Sequence, residues 1–231
     1  MTLATQLEQL TERIEKACAR SSRQSQDVTL IAVTKTHPPE VVKAAYDLGL
    51  REFGENRVQE LLKKKEALDP DFSILNSEFS IPHWHLIGQL QSNKAKYIAP
   101  FIHLVHSIDS ISTAQELSRR AEQHSRTINI LVEVNVAAEA SKSGIAPASL
   151  PSFLDDLAEK APALSVKGLM TVAPYNDDRQ TTRPHFIALR TLAENHRLKE
   201  LSMGMSNDFE VAIEEGATMV RVGSALFGER G

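Results

Sequence analysis

Eight short runs along the chain are nearly continuously apolar: Val28–Lys35, Arg51–Glu55, His83–Gly88, Phe101–Asp109, Ile128–Val136, Ser165–Val172, Glu200–Ser206 and Thr218–Gly223. Their richness in Val, Ile and Leu is the pattern of parallel strands covered on both faces. Between them, apolar positions recur at helical spacing. Pro38-Pro39-Glu40 opens one such stretch, which runs to Gly49, with proline in the first turn and glycine as the stop. The others are Asn56–Leu68, Asn93–Ala99, Ser112–Gln123, Pro147–Lys160, Thr182–Asn195 and Asn207–Gly216. Ahead of them, residues 1–23 carry Leu3, Leu7, Leu10, Ile14 and Ala17 at the same spacing, which predicts a helix packed on the body. The alternation predicts an α/β protein, a single (β/α)8 TIM barrel over residues 1–231, rather than an open doubly wound sheet. The glycine-rich dinucleotide fingerprint of the open sheet is missing. Two connections stand out: a polar excursion over Pro70–Pro82 and a small, polar, mobile loop over Ala138–Ser149.

Composition narrows the function classes. A chain of 231 residues with 42% hydrophobic and 24% charged residues suits one globular barrel. With a formal net charge of -4 and no basic stripe, nucleic acid is excluded as a partner. Cys18 is the only cysteine, which rules out an intrachain disulfide and fits the reducing cytoplasm. No apolar stretch approaches the roughly 20 residues that cross a bilayer, and the N-terminus lacks the apolar centre of a signal peptide. A cytoplasmic protein with no membrane partner is expected.

In such a barrel the chemistry sits at the C-terminal ends of the strands. Lys35 ends the first strand and Arg221-Val-Gly-Ser224 the last, and these two strands are neighbours once the barrel closes. Alternation puts Ile31, Val33 and Lys35 on one face, and Arg221 and Gly223 likewise share a face, so Lys35 and Arg221 can both point into the mouth. An amine for an aldehyde, a cation for a ring nitrogen and backbone N–H groups for a phosphate are the parts of a pyridoxal phosphate pocket. Ser206 and Gly223-Ser224 fall in the loops after strands seven and eight, where barrels of this type hold phosphate. Ser206 alternatively caps the helix that follows it, and Ser224 caps Ala225-Leu-Phe. Asn56 either donates to a ring oxygen or caps its own helix, and Lys94 is either a rim contact for an anion or solvated. Glu133 and Asn135 alternate inward among valines and need partners if buried.

His83-Trp-His85, with His103 and His106 on the next strand, raises a metal reading. Barrel metallohydrolases also need histidines on later strands and an aspartate at strand eight, where this chain has Arg221. No metal is therefore expected. His85 reads as an inward, hydrogen-bonded group behind the cofactor, and His103 and His106, three apart, as pointing to opposite faces.

At these residues the chain resembles the pyridoxal phosphate homeostasis protein family. The resemblance rests on Ile31-Ala-Val-Thr-Lys-Thr36, Phe53-Gly-Glu-Asn-Arg-Val-Gln-Glu60, Trp84-His-Leu-Ile-Gly-Gln-Leu-Gln-Ser-Asn-Lys94, Gly168-Leu-Met-Thr171, Leu201-Ser-Met-Gly-Met-Ser-Asn-Asp208 and Met219-Val-Arg-Val-Gly-Ser-Ala-Leu-Phe-Gly228. These segments cover nearly the whole chain in order. The resemblance implies a barrel like the N-terminal domain of alanine racemase and pyridoxal 5'-phosphate (PLP) held as a Schiff base on Lys35. It places Arg221 at the pyridine nitrogen and Ser206, Gly223 and Ser224 on the phosphate. It also implies a role in intracellular PLP (vitamin B6) homeostasis without robust turnover. A low-activity amino-acid racemase is the alternative, and delivery of PLP to apoenzymes a third reading. Lacking the racemase's second domain, the chain is expected to be a monomer.

Overall fold

The structure, a computed structural model, describes residues 2–72, 81–139, 142–176 and 178–228, without the side chains of 70–72. Eight parallel strands close into one barrel in sequence order. They are β1 (Thr29–Val33), β2 (Glu52–Glu55), β3 (His83–Leu86), β4 (Leu104–Ile108), β5 (Ile128–Glu133), β6 (Leu164–Met170), β7 (Glu200–Met205) and β8 (Met219–Val222). The helices between and around them are α1 (Leu3–Arg20), α2 (Pro39–Asp47), α3 (Val58–Phe72), α4 (Ala95–Ile98), α5 (Ile111–Gln123), α6 (Leu150–Lys160), α7 (Arg183–Asn195), α8 (Phe209–Glu214) and α9 (Ser224–Phe227). No described helix is long and apolar enough to cross a membrane.

Each strand lies inside the apolar run that announced it, except that β6 begins one residue earlier, at Leu164. Most are shorter than the run. Phe101 and Ile102 remain in the turn after α4, donating to the Ile98 carbonyl, so β4 starts only at Leu104. Most of the core is the layer between strands and helices, where Phe53, Phe186 and Phe209 are fully buried. A smaller inner layer of Leu104, Leu131 and Met170 plugs the barrel. Helix α3 continues through Pro70, inside the expected excursion, whose residues 73–80 lie outside the described set.

Helix α1 sits where its stripe predicts. Thr2 caps it through Thr5 N–H, and Leu10, Ile14, Ala17 and Cys18 are buried. It packs on α8 and α9, the two short helices that follow β7 and β8. Arg13 pairs with Glu210 and Arg20 with Glu214, while Arg23 donates to the Ile213 carbonyl at 2.8 Å. The exposed pairs each contribute little. The buried stripe attaches the helix, and so braces the elements that carry Ser206 and Gly223.

Candidate functional site

Strand β1 stops at Val33, so Lys35 lies in a turn rather than at a strand end, and strand alternation does not extend to it. His37 N–H donates back to the Thr34 carbonyl at 3.0 Å, which puts Lys35 and Thr36 at the centre of the turn. Thr36 has φ +70°, left-handed backbone that a β-branched residue rarely adopts. The turn is pinned from below. Lys64 Nζ donates to the Thr34 carbonyl at 2.6 Å and pairs with Glu55, while Thr34 Oγ1 donates to Glu55 Oε1 at 2.6 Å. Lys64 and Glu55 are both buried, and burial pushes the Glu55 carboxyl up against the pull of Lys64 and Thr34. Thr36 N–H is held by Glu60 Oε2 at 3.0 Å.

Arg221 points into the barrel as expected and is buried. It donates to Ser202 Oγ at 2.5 Å and to the Thr171 carbonyl at 2.9 Å. Burial lowers its pKa to about 10, with Asp208 and Glu133 opposing the shift, so it stays a cation at neutral pH. Register pairs Arg221 with Ile31, four residues before Lys35. At about 3.3 Å per residue the two cations stand up to about 13 Å apart along the wall, leaving room for a flat molecule between them.

Between them in depth lie the loop after β7 and the start of α9. Ser206 Oγ accepts from Gly223 N–H at 3.2 Å and Ala225 N–H at 3.3 Å. Ser206 does not cap the next helix. Asp208 occupies that N-cap position, and its carboxylate accepts from Met205 N–H at 2.7 Å. Gly223, not Ser224, is the N-cap of α9, and Ser224 is the exposed first helical residue, a correction to its capping role. A Cβ on Gly223 would come 3.2 Å from the Val33 carbonyl, so glycine keeps β8 close to the strand that leads to Lys35. Asn56, half-buried, follows β2 directly.

On the far side of the mouth, a cavity of about 290 Å³ is lined by Glu133, Asn135, Lys142 and Thr171 among others. It shares Thr171 with the Arg221 site but does not include Lys35 or Ser206. Glu133 there is lifted to about 7 by burial and by Asp109, against Arg221. Asn135 Nδ2 donates to the Glu139 and Lys142 carbonyls, and Gly144 N–H to Asp109. The described part of the loop expected to be mobile is therefore tied to β5 and to Asp109.

His83, His85, His103 and His106 are not at the mouth. His83 begins β3, at the barrel's N-terminal end, and His103 just precedes β4. His85 is inward and hydrogen-bonded, as expected, to His106 at 2.9 Å and Glu52 at 2.6 Å. His106 in turn bonds Ser202 at 2.8 Å, so His85 reaches Arg221 only through two other side chains. His103 and His106 both contact the His85 ring, at 5.3 and 5.1 Å, because His103 lies ahead of the strand where alternation does not apply. The residues that sequence reasoning missed are Lys64, Glu55 and Thr34 beneath Lys35, and Ser202 beside Arg221.

Residues 5–231 match the alanine racemase N-terminal domain family. The chain is 44% identical over 237 residues to the pyridoxal phosphate homeostasis protein of Aquifex aeolicus, covering 100% of this chain and 99% of the relative. The chain belongs to the pyridoxal phosphate homeostasis protein family. Its Escherichia coli K12 relative of the same name is 36% identical over 99% of this chain and 97% of the relative. Among solved structures, an unknown protein from Bifidobacterium adolescentis superposes with a TM-score of 0.89 at 36% identity, covering 97% of this chain and 94% of that one. PipY of Synechococcus elongatus, solved with PLP bound, superposes at 0.81 and 36% identity, over 98% of this chain and 100% of PipY. Alanine racemase of Clostridium difficile shares the fold alone, with a TM-score of 0.72 at 14% identity over 99% of this chain and 56% of the racemase.

Proposed function

We propose that this protein binds PLP at the barrel mouth, attached through the Lys35 amine, and acts in the cytoplasm as a PLP carrier or buffer without robust turnover. The family name and the PLP-bound PipY support the cofactor. The residues fit it: Lys35 on the pinned turn, the Gly223 and Ala225 N–H groups and Ser206 hydroxyl for the phosphate, and buried Arg221 below. Ser224 would offer a further hydroxyl from the rim, Asn56 would donate to the ring oxygen, and His85 would act through His106 and Ser202. When bound, PLP supplies an aldehyde and an electron-withdrawing ring.

The observation that carries the non-catalytic reading is Arg221, a buried cation held by Ser202 and the Thr171 carbonyl. A cation opposite the pyridine nitrogen disfavours its protonation and makes the ring a weaker electron sink than a carboxylate would. A racemase also needs a second acid or base facing the first. Tyr175 is 79% exposed, Tyr97 packs with Lys96 outside the barrel, and Tyr46 lies under Arg51.

The test is the absorbance spectrum of purified protein before and after borohydride, with the labelled peptide mapped by mass spectrometry. A band lost on reduction, with a pyridoxyl mass on Lys35 and none in Lys35→Ala, is the expected result. A full band in Lys35→Ala overturns the assignment. Light scattering checks the expected monomer, and transfer to an apoenzyme faster than free release would identify a delivery role.

One observation favours the racemase alternative. Glu133, held near pH 7 in the mouth, is able to take and return a proton at neutral pH. A chiral assay over the common amino acids decides: turnover lost in both Lys35→Ala and Glu133→Gln would replace the carrier reading.

A further inference from the structure

At the floor of the barrel, opposite the mouth, the starts of β2, β3 and β4 bring four chemically matched side chains together. Register pairs Glu52 with His83 and Gly54 with His85, so the β2–β3 ladder itself sets the grouping. Glu52 Oε1 lies 2.7 Å from His83 Nδ1, and its Oε2 lies 2.6 Å from His85 Nε2. His103 stacks on His83 with centroids 4.2 Å apart and planes within 9°. One ligand atom from each of Glu52, His85 and His103 lies within 4.8 Å of the others.

We propose that Glu52, His85 and His103 form a binding site for one divalent transition metal ion, zinc by its donor chemistry, on the barrel floor. Two imidazole nitrogens and a carboxylate oxygen are a set that zinc takes with a fourth position open, at about 2.0–2.2 Å per bond. Such bonds place tetrahedral donors roughly 3.4 Å apart, so on binding the 2.6 Å contact between Glu52 and His85 must open while His103 closes in. The group is built to do so: His85 is fixed in the interior, whereas His103 is exposed and outside the strand. His83, 39% exposed in its side chain, is at hand for the fourth position.

The second observation is behind the site. A metal-bound histidine ordinarily donates its other N–H to a fixed partner, and His85 Nδ1 already lies 2.9 Å from His106 Nε2. Zinc on His85 Nε2 places the His85 proton on Nδ1, donating to His106. His106 then carries its proton on Nδ1 and donates to Ser202 Oγ, 2.8 Å away. Without metal the chain runs the other way: Ser202 donates to His106, His106 to His85, and His85 to the Glu52 carboxylate. In both states Ser202 accepts from Arg221. The ion thus replaces the His85–Glu52 hydrogen bond and reverses the direction of two others, which end on Ser202, the partner of the residue proposed to face the PLP ring. That coupling rests on the cofactor reading above; the metal site does not.

The test uses tag-free, full-length protein stripped with a chelator and free of PLP, titrated with zinc alone by calorimetry. One equivalent should bind, with affinity reduced at least about a hundredfold in His103→Ala and Glu52→Gln, beyond the tenfold to hundredfold of outer-shell changes. His124→Ala, an exposed histidine elsewhere, should leave it unchanged. Nitrogen-15 NMR should show the His85 and His106 protons move from Nε2 to Nδ1 as zinc is added. Because His103 is exposed and its ring meets the His83 and His85 imidazoles rather than the apolar core, the His103→Ala variant should stay folded by circular dichroism. Equal binding in His103→Ala, loss in His124→Ala, or no uptake at all would each overturn the site, leaving an adventitious ion only. None of these outcomes touches the PLP assignment, which has its own spectrum.

Discussion

The two ends of this barrel are built by different means. At the mouth, the groups proposed to hold PLP ride on turns: Lys35 beside a left-handed Thr36, Ser206 on main-chain N–H groups, Gly223 packed against the Val33 carbonyl. At the floor, Glu52, His83 and His85 are strand side chains grouped by ladder register, with His103 just ahead of β4. The carboxylates record the contrast. Glu133 at the mouth is buried beside Asp109 and rises to about 7; Glu52 at the floor meets two imidazoles and falls to about 2. The same side chain becomes an acid or a fixed anion according to its neighbours. The mouth is suited to exchange a ligand and a proton, the floor to hold a charge still.

The sharpest way to break the contrast is to remove the support under Lys35. Lys64→Met leaves the buried Glu55 carboxyl without its cation and the Thr34 carbonyl without a donor. Breaking a buried pair from one side costs about 3–5 kcal/mol. A fall of that size in chemical denaturation is expected, with much of it recovered when Glu55→Gln is added. No fall would mean that the pair does not brace the mouth.

The pH dependences of stability should diverge next. Glu133 has a raised pKa, so between about 4.5 and 7 the native state holds a proton that the unfolded chain has released. Its contribution is lost as pH rises through that window, by at most about 3 kcal/mol. Glu52 is the reverse: its lowered pKa contributes stability above about 4.5, lost as pH falls toward 2. Denaturation midpoints should rise on the alkaline side in Glu133→Gln and fall in Glu52→Gln at neutral pH. Parallel profiles for the two variants would erase the distinction between the ends.

What the sequence disclosed follows the same division. Buried parallel strands need nearly unbroken apolar runs, so all eight were legible, as were Arg221 and the glycine-serine pair at the last. Lys35 was legible as a residue, but its turn was not, because a positive φ is announced by glycine or asparagine and here falls on threonine. Lys64 hid in Lys63-Lys64-Lys65, which reads as a solvated run. Its signal was spacing, since with Val58, Leu61 and Leu68 it completes a buried stripe of α3. The floor was set aside because His83, His85, His103 and His106 were weighed only against barrel metallohydrolases, whose strand-eight aspartate is Arg221 here. Glu52, an acidic residue opening a short strand, gives no sign of what it faces until register is known.

The smallest expected effect bears most directly on how the mouth works. Among the described residues, Ser22, Ser125 and Arg197 are left-handed just past helix ends and Ala138 in the loop after β5, and Thr36 is the only β-branched residue of the group. Its conformation costs on the order of 1 kcal/mol or more. Thr36→Gly relieves that strain and keeps the N–H that Glu60 holds, but adds about 0.4–1 kcal/mol of unfolded-state freedom. The two effects nearly cancel, so Tm should move by no more than about 4 °C. Release of PLP should nevertheless quicken, because glycine allows the Lys35 turn conformations that threonine forbids, and the competition of free PLP with the bound cofactor reads that rate. If release is unchanged while Lys64→Met accelerates it, the ion pair alone holds Lys35 in place and the strained threonine is incidental. If Thr36→Gly releases faster at unchanged Tm, the mouth stores its precision in backbone strain, a device the strand-built floor does not share.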